Sequence, residues 1–102
     1  MSISIGYLQE YIKTKDFKPD LKEKYFMKLV EEVGELSSAM RKNLRPDREC
    51  DIKGTVDEEL WDVIYYAIAI ANCYDIELEK VIPLKEKLGN ERYGHDIVFM
   101  GK

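Results

Sequence analysis

The segment LWDVIYYAIAIA, Leu60 to Ala71, constrains the fold more than any other part of the sequence. Apart from Asp62 it is apolar on nearly every side of a helix, whereas a surface helix of a soluble protein keeps one polar face. It is also far shorter than the ~20 residues that an α-helix needs to cross a membrane. The segment therefore predicts a helix at the centre of a bundle of other helices.

The remaining apolar residues also recur at helical spacing. Four segments show this period, and their predicted bounds are about residues 4–14, 20–42, 55–74 and 75–88. Asp20 with Glu23, and Thr55 with Glu58, have the spacing of capping boxes at the starts of the second and third helices. No alternation of strands and helices occurs, so the sequence predicts an all-α four-helix bundle in one domain, residues 1–102.

The fourth segment and the tail are less regular. Asp75 is predicted to cap the fourth helix and Gly89 to end it, while Pro83 is predicted to kink or divide it. The tail, residues 94–102, is expected to be irregular or extended. Its DIVFM stretch fits either a short strand or an arm packed on a partner subunit, and His95 is interpreted as a surface residue.

Composition argues against nucleic acid polymers and membranes as partners. The net charge is −4, both signs are interspersed, and no long basic run occurs. Cys50 and Cys73 form no CxxC motif, and the first residues lack the pattern of a signal peptide. These features predict a soluble, cytoplasmic protein.

Two helices carry carboxylates where the apolar pattern predicts a buried face. Glu32 lies among core-type residues of the second helix, with Glu35 at the edge of the same stripe. Glu59 and Asp62 share a face of the third helix. An ionised carboxylate in apolar surroundings is costly unless another group pairs with it. A structural interpretation, in which each acid pairs with a lysine or arginine, remains open from the spacing alone.

Convergence of the four carboxylates would instead predict a divalent cation. An all-oxygen ligand set suits Mg²⁺ or Mn²⁺. A di-iron carboxylate bundle needs Glu-x-x-His motifs on two helices, and His95 is the only histidine of the chain. Zinc is disfavoured because no cluster of cysteine and histidine occurs.

The acids occur in two motifs, EEVGE (Glu31 to Glu35) and ELWD (Glu59 to Asp62). These resemble the EExxE…ExxD signature of the MazG-like all-α nucleoside triphosphate pyrophosphohydrolases, and the resemblance extends from about Asp20 to Tyr93. It implies a Mg²⁺-dependent enzyme, with Mn²⁺ as a substitute, that converts a (d)NTP to (d)NMP and pyrophosphate. It also implies a homodimer or homotetramer.

The resemblance implies roles by position. The implied metal ligands are Glu32, Glu35, Glu59 and Asp62. Glu31 and Glu35 are the implied catalytic residues, which orient a ligand or activate water. The KLGNERY stretch is similar to a K-x-x-N-x-x-R-Y pattern of the family, although its arginine follows asparagine by two residues instead of three. The substrate contacts that this pattern implies are Lys87, Asn90, Arg92 and Tyr93.

Two other interpretations remain open. One is a non-catalytic dimerisation or regulatory module with the same helical architecture. The other is a phosphoribosyl-ATP pyrophosphohydrolase, which is disfavoured because DVIYYAIAIA lacks the Tyr-His step associated with those enzymes. In the resembling enzymes aromatic residues hold the base, and Tyr7, Tyr11 and Phe17 are available here. The sequence does not predict which base or sugar is preferred.

Overall fold

The computed structural model describes residues 2–94, 98 and 99. Its elements in chain order are α1 (Ile5–Lys15), a 3-10 turn (Pro19–Leu21), α2 (Lys22–Arg41), α3 (Val56–Cys73) and α4 (Leu78–Arg92). No strand occurs among the described residues, and the predicted all-α fold with four helices is confirmed. His95 and most of the DIVFM stretch lie outside the described residues.

Helix α3 lies at the centre of the fold, as predicted. It packs along α2 on one side and against α1 on the other, while α4 contacts α1. The buried core joins Ile12 of α1, Tyr25 of α2, and Ile68 and Ala69 of α3. Ile12 and Ile68 are almost completely buried, and a buried side chain of this size contributes about 1.5–3 kcal/mol to folding.

The buried tyrosine also ties the α1–α2 connection to the core. Its hydroxyl donates to Asp16 Oδ1 at 2.8 Å and accepts from the Lys18 N–H at 3.1 Å. Burial and the hydrogen bond to Asp16 raise the pKa of Tyr25 to about 12. The hydroxyl therefore remains a protonated donor at any physiological pH.

The start of α3 agrees with the sequence, with one shift. Thr55 Oγ1 accepts from the Glu58 N–H at 3.4 Å, as a capping residue should. The Glu58 carboxylate, however, accepts from the Gly54 N–H at 2.7 Å instead of from Thr55. The reason is that the Thr55 N–H already donates to the Ile52 carbonyl at 3.0 Å.

The capping box predicted from Asp20 and Glu23 is wrong. Pro19 begins a 3-10 turn in which the Leu21 N–H donates to the Lys18 carbonyl at 2.9 Å. Helix α2 continues directly from this turn and has no side-chain cap. The backbone turn takes the place of the predicted side-chain cap.

The bounds of α4 also differ from the prediction. Asp75, at φ +57°, lies in the turn after α3 and does not cap α4. Pro83 and Gly89 both lie inside one continuous helix that reaches Arg92. Helices often end at a glycine in the left-handed conformation. Gly94, at φ +67°, has this conformation and follows the end of α4.

The chain is more open than a domain of its size usually is. Its radius of gyration is 16.0 Å, whereas about 13 Å is typical for ~100 residues. Apolar side chains remain exposed on three helices, including Val33 and Met40 of α2, Leu60 of α3, and Leu84 and Leu88 of α4. Among the described residues, no helix combines the length and apolar character needed to cross a membrane.

Candidate metal centre

Three carboxylates from two helices meet where α2 packs against α3. Glu32 of α2 and Glu59 and Asp62 of α3 each offer one oxygen, and these oxygens all lie within 4.8 Å of one another. We call these three residues the acidic cluster. Its arrangement follows from antiparallel packing, because Tyr25, early in α2, contacts Tyr66, late in α3, at 6.5 Å between ring centroids.

Glu59 is the most deeply buried member of the acidic cluster. Glu59 is only 8% exposed, and its Oε2 atom has no hydrogen-bond partner among the described residues. Burial, a hydrogen bond with Glu32 and the charge of Asp62 together raise the pKa of Glu59 to about 7. Burial also raises the pKa of Asp62, and the charges of Glu32 and Glu58 add to this effect.

The acidic cluster fits a divalent cation. A buried carboxylate oxygen without a donor lacks compensation for the water it has lost. Among the described residues, neither lysine nor arginine forms an ion pair with a member of the cluster, so the structural interpretation of the acids is not supported. A hard divalent cation bound by the three carboxylates would offset two of their three negative charges and reduce their mutual repulsion, and the all-oxygen set favours Mg²⁺ or Mn²⁺.

The other two predicted acids of α2 lie on its exposed side. Glu35 is one turn after Glu32 and is not part of the acidic cluster. The Glu31 carboxylate lies 3.9 Å from the Lys28 ammonium group, and both side chains are exposed. An exposed pair of this kind contributes little to stability. The structure therefore brings together three of the four predicted metal ligands.

The loop before α3 fixes the start of α3 beside the end of α2. The Arg45 guanidinium donates to both carboxylate oxygens of Asp57, at 2.7 and 3.1 Å. This hydrogen bond lowers the pKa of Asp57 and raises that of Arg45. The Val56 N–H donates to the Leu44 carbonyl at 2.9 Å. These contacts hold the first turn of α3, and therefore Glu59, in place opposite α2.

The sequence did not single out Glu58 as part of the site. Its spacing from Thr55 explains it as a capping residue, and it does accept a backbone hydrogen bond. Its negative charge nevertheless raises the pKa of both Glu59 and Asp62. Because Glu58 directly precedes Glu59 and lies one turn before Asp62 on the same helix, its spacing in the sequence is a signal for this second effect.

Aromatic side chains lie one helical turn along α3 from Asp62. Tyr65 contacts Trp61 edge to face, with 5.9 Å between ring centroids. Lys15 Nζ lies 5.2 Å from the Tyr65 ring and 5.6 Å from that of Tyr11. Of these four residues, the sequence analysis named only Tyr11 as a candidate and missed Trp61, Tyr65 and Lys15. Tyr65 follows Asp62 by one turn of the same helix, and this spacing is a signal that could have identified it. The other two aromatic candidates are Tyr7, stacked on Tyr11, and Phe17, which lies under Lys13.

The predicted substrate contacts occupy the end of α4. Lys87, Asn90 and Arg92 are helical and Tyr93 follows as the C-terminal cap. The Arg92 guanidinium lies 5.6 Å from the centre of the Tyr93 ring. The acidic cluster is formed by α2 and α3, whereas α4 packs against α1.

Comparison with known proteins places these observations in context. The family profile described as the MazG nucleotide pyrophosphohydrolase domain matches residues 21–95. The crystal structure of Ctag-iMazG from Vibrio DAT 722 is similar at 45% identity and a TM-score of 0.80, over 86% of this chain and 99% of that chain. The crystal structure of Ntag-iMazG from the same source is similar at 44% identity and a TM-score of 0.82, over 89% of this chain and 98% of that chain. The search of curated proteins found no match.

Proposed function

Because the chain belongs to the MazG nucleotide pyrophosphohydrolase family, it is a hydrolase of nucleoside triphosphates, and we propose that its acidic cluster holds the Mg²⁺ on which hydrolysis depends. The products are a (d)NMP and pyrophosphate. Two observations support this proposal: Glu59 has a buried oxygen without a hydrogen-bond partner among the described residues, and one of its carboxylate oxygens lies within 4.8 Å of an oxygen of Glu32 and one of Asp62.

The chain's own residues provide the ligands. Glu32, Glu59 and Asp62 would hold the ion, Mg²⁺ or Mn²⁺, and Glu35, one turn after Glu32, is the fourth candidate ligand. A bound ion would offset the charge of the phosphates and acidify water. Burial and the neighbouring carboxylates raise the pKa of Glu59 to about 7, and a cation beside it would favour its ionised form.

A glutamate on the exposed side of α2 acts as the general base. Water attacks the α-phosphorus, the bond between that atom and the bridging oxygen breaks, and pyrophosphate leaves. The proton of the attacking water passes to a carboxylate. Glu35 is the first candidate because it is exposed and follows Glu32 by one turn. Glu31 is the second candidate, and the neighbouring ammonium group of Lys28 competes for its carboxylate.

The end of α4 contacts the triphosphate. Lys87 and Arg92 offset phosphate charge, and Asn90 and Tyr93 donate hydrogen bonds. A nucleotide carries its negative charge into a site that is already acidic, so cations on the opposite side are required for binding. Arg92 is the last residue of α4 and Lys87 lies five residues before it, so both cations are near the same end of the helix.

The active form is a homodimer or homotetramer. The radius of gyration of 16.0 Å and the exposed apolar side chains of α2, α3 and α4 support this assembly. Exposed apolar surface of this extent is typical of an interface.

The test is Mg²⁺-dependent pyrophosphate release, screened across canonical and damaged (d)NTPs. Glu32→Gln, Glu59→Gln and Asp62→Asn should each lower the rate at least ~100-fold while circular dichroism stays unchanged. Glu10→Gln, an exposed glutamate of α1, is the matched control and should keep full activity. Full activity in any two of the three cluster variants would refute the site. A screen without turnover of any nucleotide would favour the non-catalytic module.

Glu35→Gln separates the two roles of that residue. If Glu35 is the base, kcat falls and the Mg²⁺ concentration for half-maximal activity is unchanged. A raised Mg²⁺ requirement would assign it as the fourth ligand instead. Glu31→Gln should change both kcat and the Mg²⁺ concentration for half-maximal activity less than Glu35→Gln does. A larger fall of kcat in Glu31→Gln than in Glu35→Gln would make Glu31 the base.

A further inference from the structure

Gln9 of α1 joins three parts of the chain around the start of α4. Its Nε2 donates to Asn72 Oδ1 at 3.0 Å and to the Ile76 carbonyl at 2.8 Å, and its Oε1 accepts from the Leu78 N–H at 2.9 Å. The buried Asn72 returns a hydrogen bond from Nδ2 to the Gln9 carbonyl at 3.0 Å. All four polar atoms of the two amide side chains are thus bonded, and such a network fixes one arrangement.

A second contact attaches the next residue of α4 to α1. Glu79 Oε1 accepts from the Gly6 N–H at 2.9 Å. The approach is so close that a Cβ atom at Gly6 would collide with the Glu79 carboxylate. Beyond this first turn no residue of α4 is buried, and Leu84 and Leu88 are each 63% exposed, so this part of the helix has little packing that would fix its direction.

The attachment determines where the far end of α4 lies. Leu78 is the first residue of the helix and Arg92 the last. At ~1.5 Å per residue, the distance between them is about 21 Å. A rotation of about 10° at the start of such a rod moves its end by about 4 Å, which is more than the length of a hydrogen bond. Small changes around Gln9 therefore become large displacements of the cationic end.

We propose that Gln9 is a positioning residue for triphosphate binding, because it sets the direction of α4 and so the place of Lys87 and Arg92. This inference rests on the proposed function, in which those two cations contact the phosphates. Gln9 itself touches no substrate. Its role is to fix the start of the helix whose other end binds.

Gln9→Leu tests the proposal, since leucine retains most of the side-chain volume but neither donates nor accepts. The KM for the best (d)NTP of the screen should rise about 10-fold, and the inhibition constant of tripolyphosphate, which has no base or sugar, should rise in parallel. The Mg²⁺ concentration for half-maximal activity should stay within about 2-fold of wild type. Glu10→Gln, on the neighbouring residue, is the control. An unchanged KM in Gln9→Leu would overturn the inference.

Glu79 provides a second route that leaves the buried amides intact. Glu79→Leu removes the acceptor for the Gly6 N–H and should raise KM in the same way. Glu79→Gln keeps an acceptor oxygen and should restore the wild-type KM. Because Glu79 is exposed, both variants should fold even if Gln9→Leu does not. Equal KM values for the two Glu79 variants and wild type would contradict the inference that contacts at the first turn of α4 set the direction of the helix.

A variant without either cation separates this inference from the proposed function. If Gln9 acts through α4, adding Gln9→Leu to the double variant Lys87→Gln/Arg92→Gln should change KM by less than about 2-fold further. A full additional 10-fold effect would mean that Gln9 acts elsewhere, and the inference would fall while the phosphate role of Arg92 stands. If Lys87→Gln and Arg92→Gln leave KM and tripolyphosphate inhibition unchanged, the phosphate role of α4 fails and the inference fails with it.

Discussion

Replacing Glu59 with glutamine should stabilise the metal-free protein and at the same time remove its response to Mg²⁺. Glutamine keeps the shape of the side chain but has no charge, and its amide can donate to Glu32 or Asp62. The acidic cluster would then lose the repulsion that raises the pKa of Glu59. A residue that serves only the fold should behave in the opposite way, because its loss would destabilise the protein.

The magnitude follows from the pKa of Glu59, about 7 in the folded protein against an ordinary value of 4.5. Between these values the folded chain binds more protons than the unfolded chain, so stability falls as pH rises, and it levels off above pH 7. At about 1.4 kcal/mol per pH unit, the cost to the metal-free protein at pH 8 is at most about 3 kcal/mol. Glu59→Gln avoids this cost.

Urea unfolding in EDTA at pH 5 and pH 8 measures the effect. The stability difference between Glu59→Gln and wild type should be small at pH 5 and approach about 3 kcal/mol in favour of the variant at pH 8. Mg²⁺ at ten times its dissociation constant should stabilise wild type by about 1.4 kcal/mol and leave the variant unchanged. Glu10→Gln should remain within about 0.5 kcal/mol of wild type at both pH values. A variant less stable than wild type in EDTA at pH 8 would refute the reasoning.

Three further results are expected. Val33→Asp places a charge on the exposed apolar face of α2, so light scattering should report a smaller particle than wild type; an unchanged mass would exclude that face from the subunit contact. Tyr25→Phe removes the hydroxyl that donates to Asp16 at 2.8 Å, and urea unfolding should show a loss of about 1–2 kcal/mol, whereas wild-type stability would contradict the role of this bond. Gly89→Ala meets no atom within 4 Å and should stabilise the chain by about 0.5–1 kcal/mol. Gly6→Ala would displace the Glu79 carboxylate and its hydrogen bond, so its stabilisation should be smaller than that of Gly89→Ala, and the reverse order for these two glycines would be incompatible with the packing described.

The hydrophobic period was sufficient to predict the four helices and the central place of α3, because a buried stripe must repeat along a helix wherever it packs. Glu32, Glu59 and Asp62 were predictable for the same reason, since each interrupts such a stripe. The period does not determine which glycine takes the left-handed conformation. Gly89 and Gly94 both stand near the end of α4, and the structure gives the left-handed conformation to Gly94, after the helix has continued through Gly89 to Arg92.

Contacts between distant residues were beyond sequence reasoning. Gln9 and Asn72 are 63 residues apart, and nothing near either residue in the sequence indicates that they pair. Lys15 becomes notable only when α1 brings it against Tyr65. The capping role of Glu58 and its place one turn before Asp62 were visible in its spacing, but the burial that is the largest cause of the raised pKa values of Glu59 and Asp62 depends on how α2 and α3 pack.

The loop between α2 and α3 is closed at its base by the hydrogen bond from Val56 to Leu44 and by the ion pair between Arg45 and Asp57. Loop length has only a small effect on the entropy of closure once such a base exists. Residues 46–51, which precede the residues that cap α3, could therefore be lengthened, shortened or exchanged for a binding segment while the geometry of the carboxylates is preserved. This part of the chain is where new specificity could evolve, or be engineered, with little change to the chemistry.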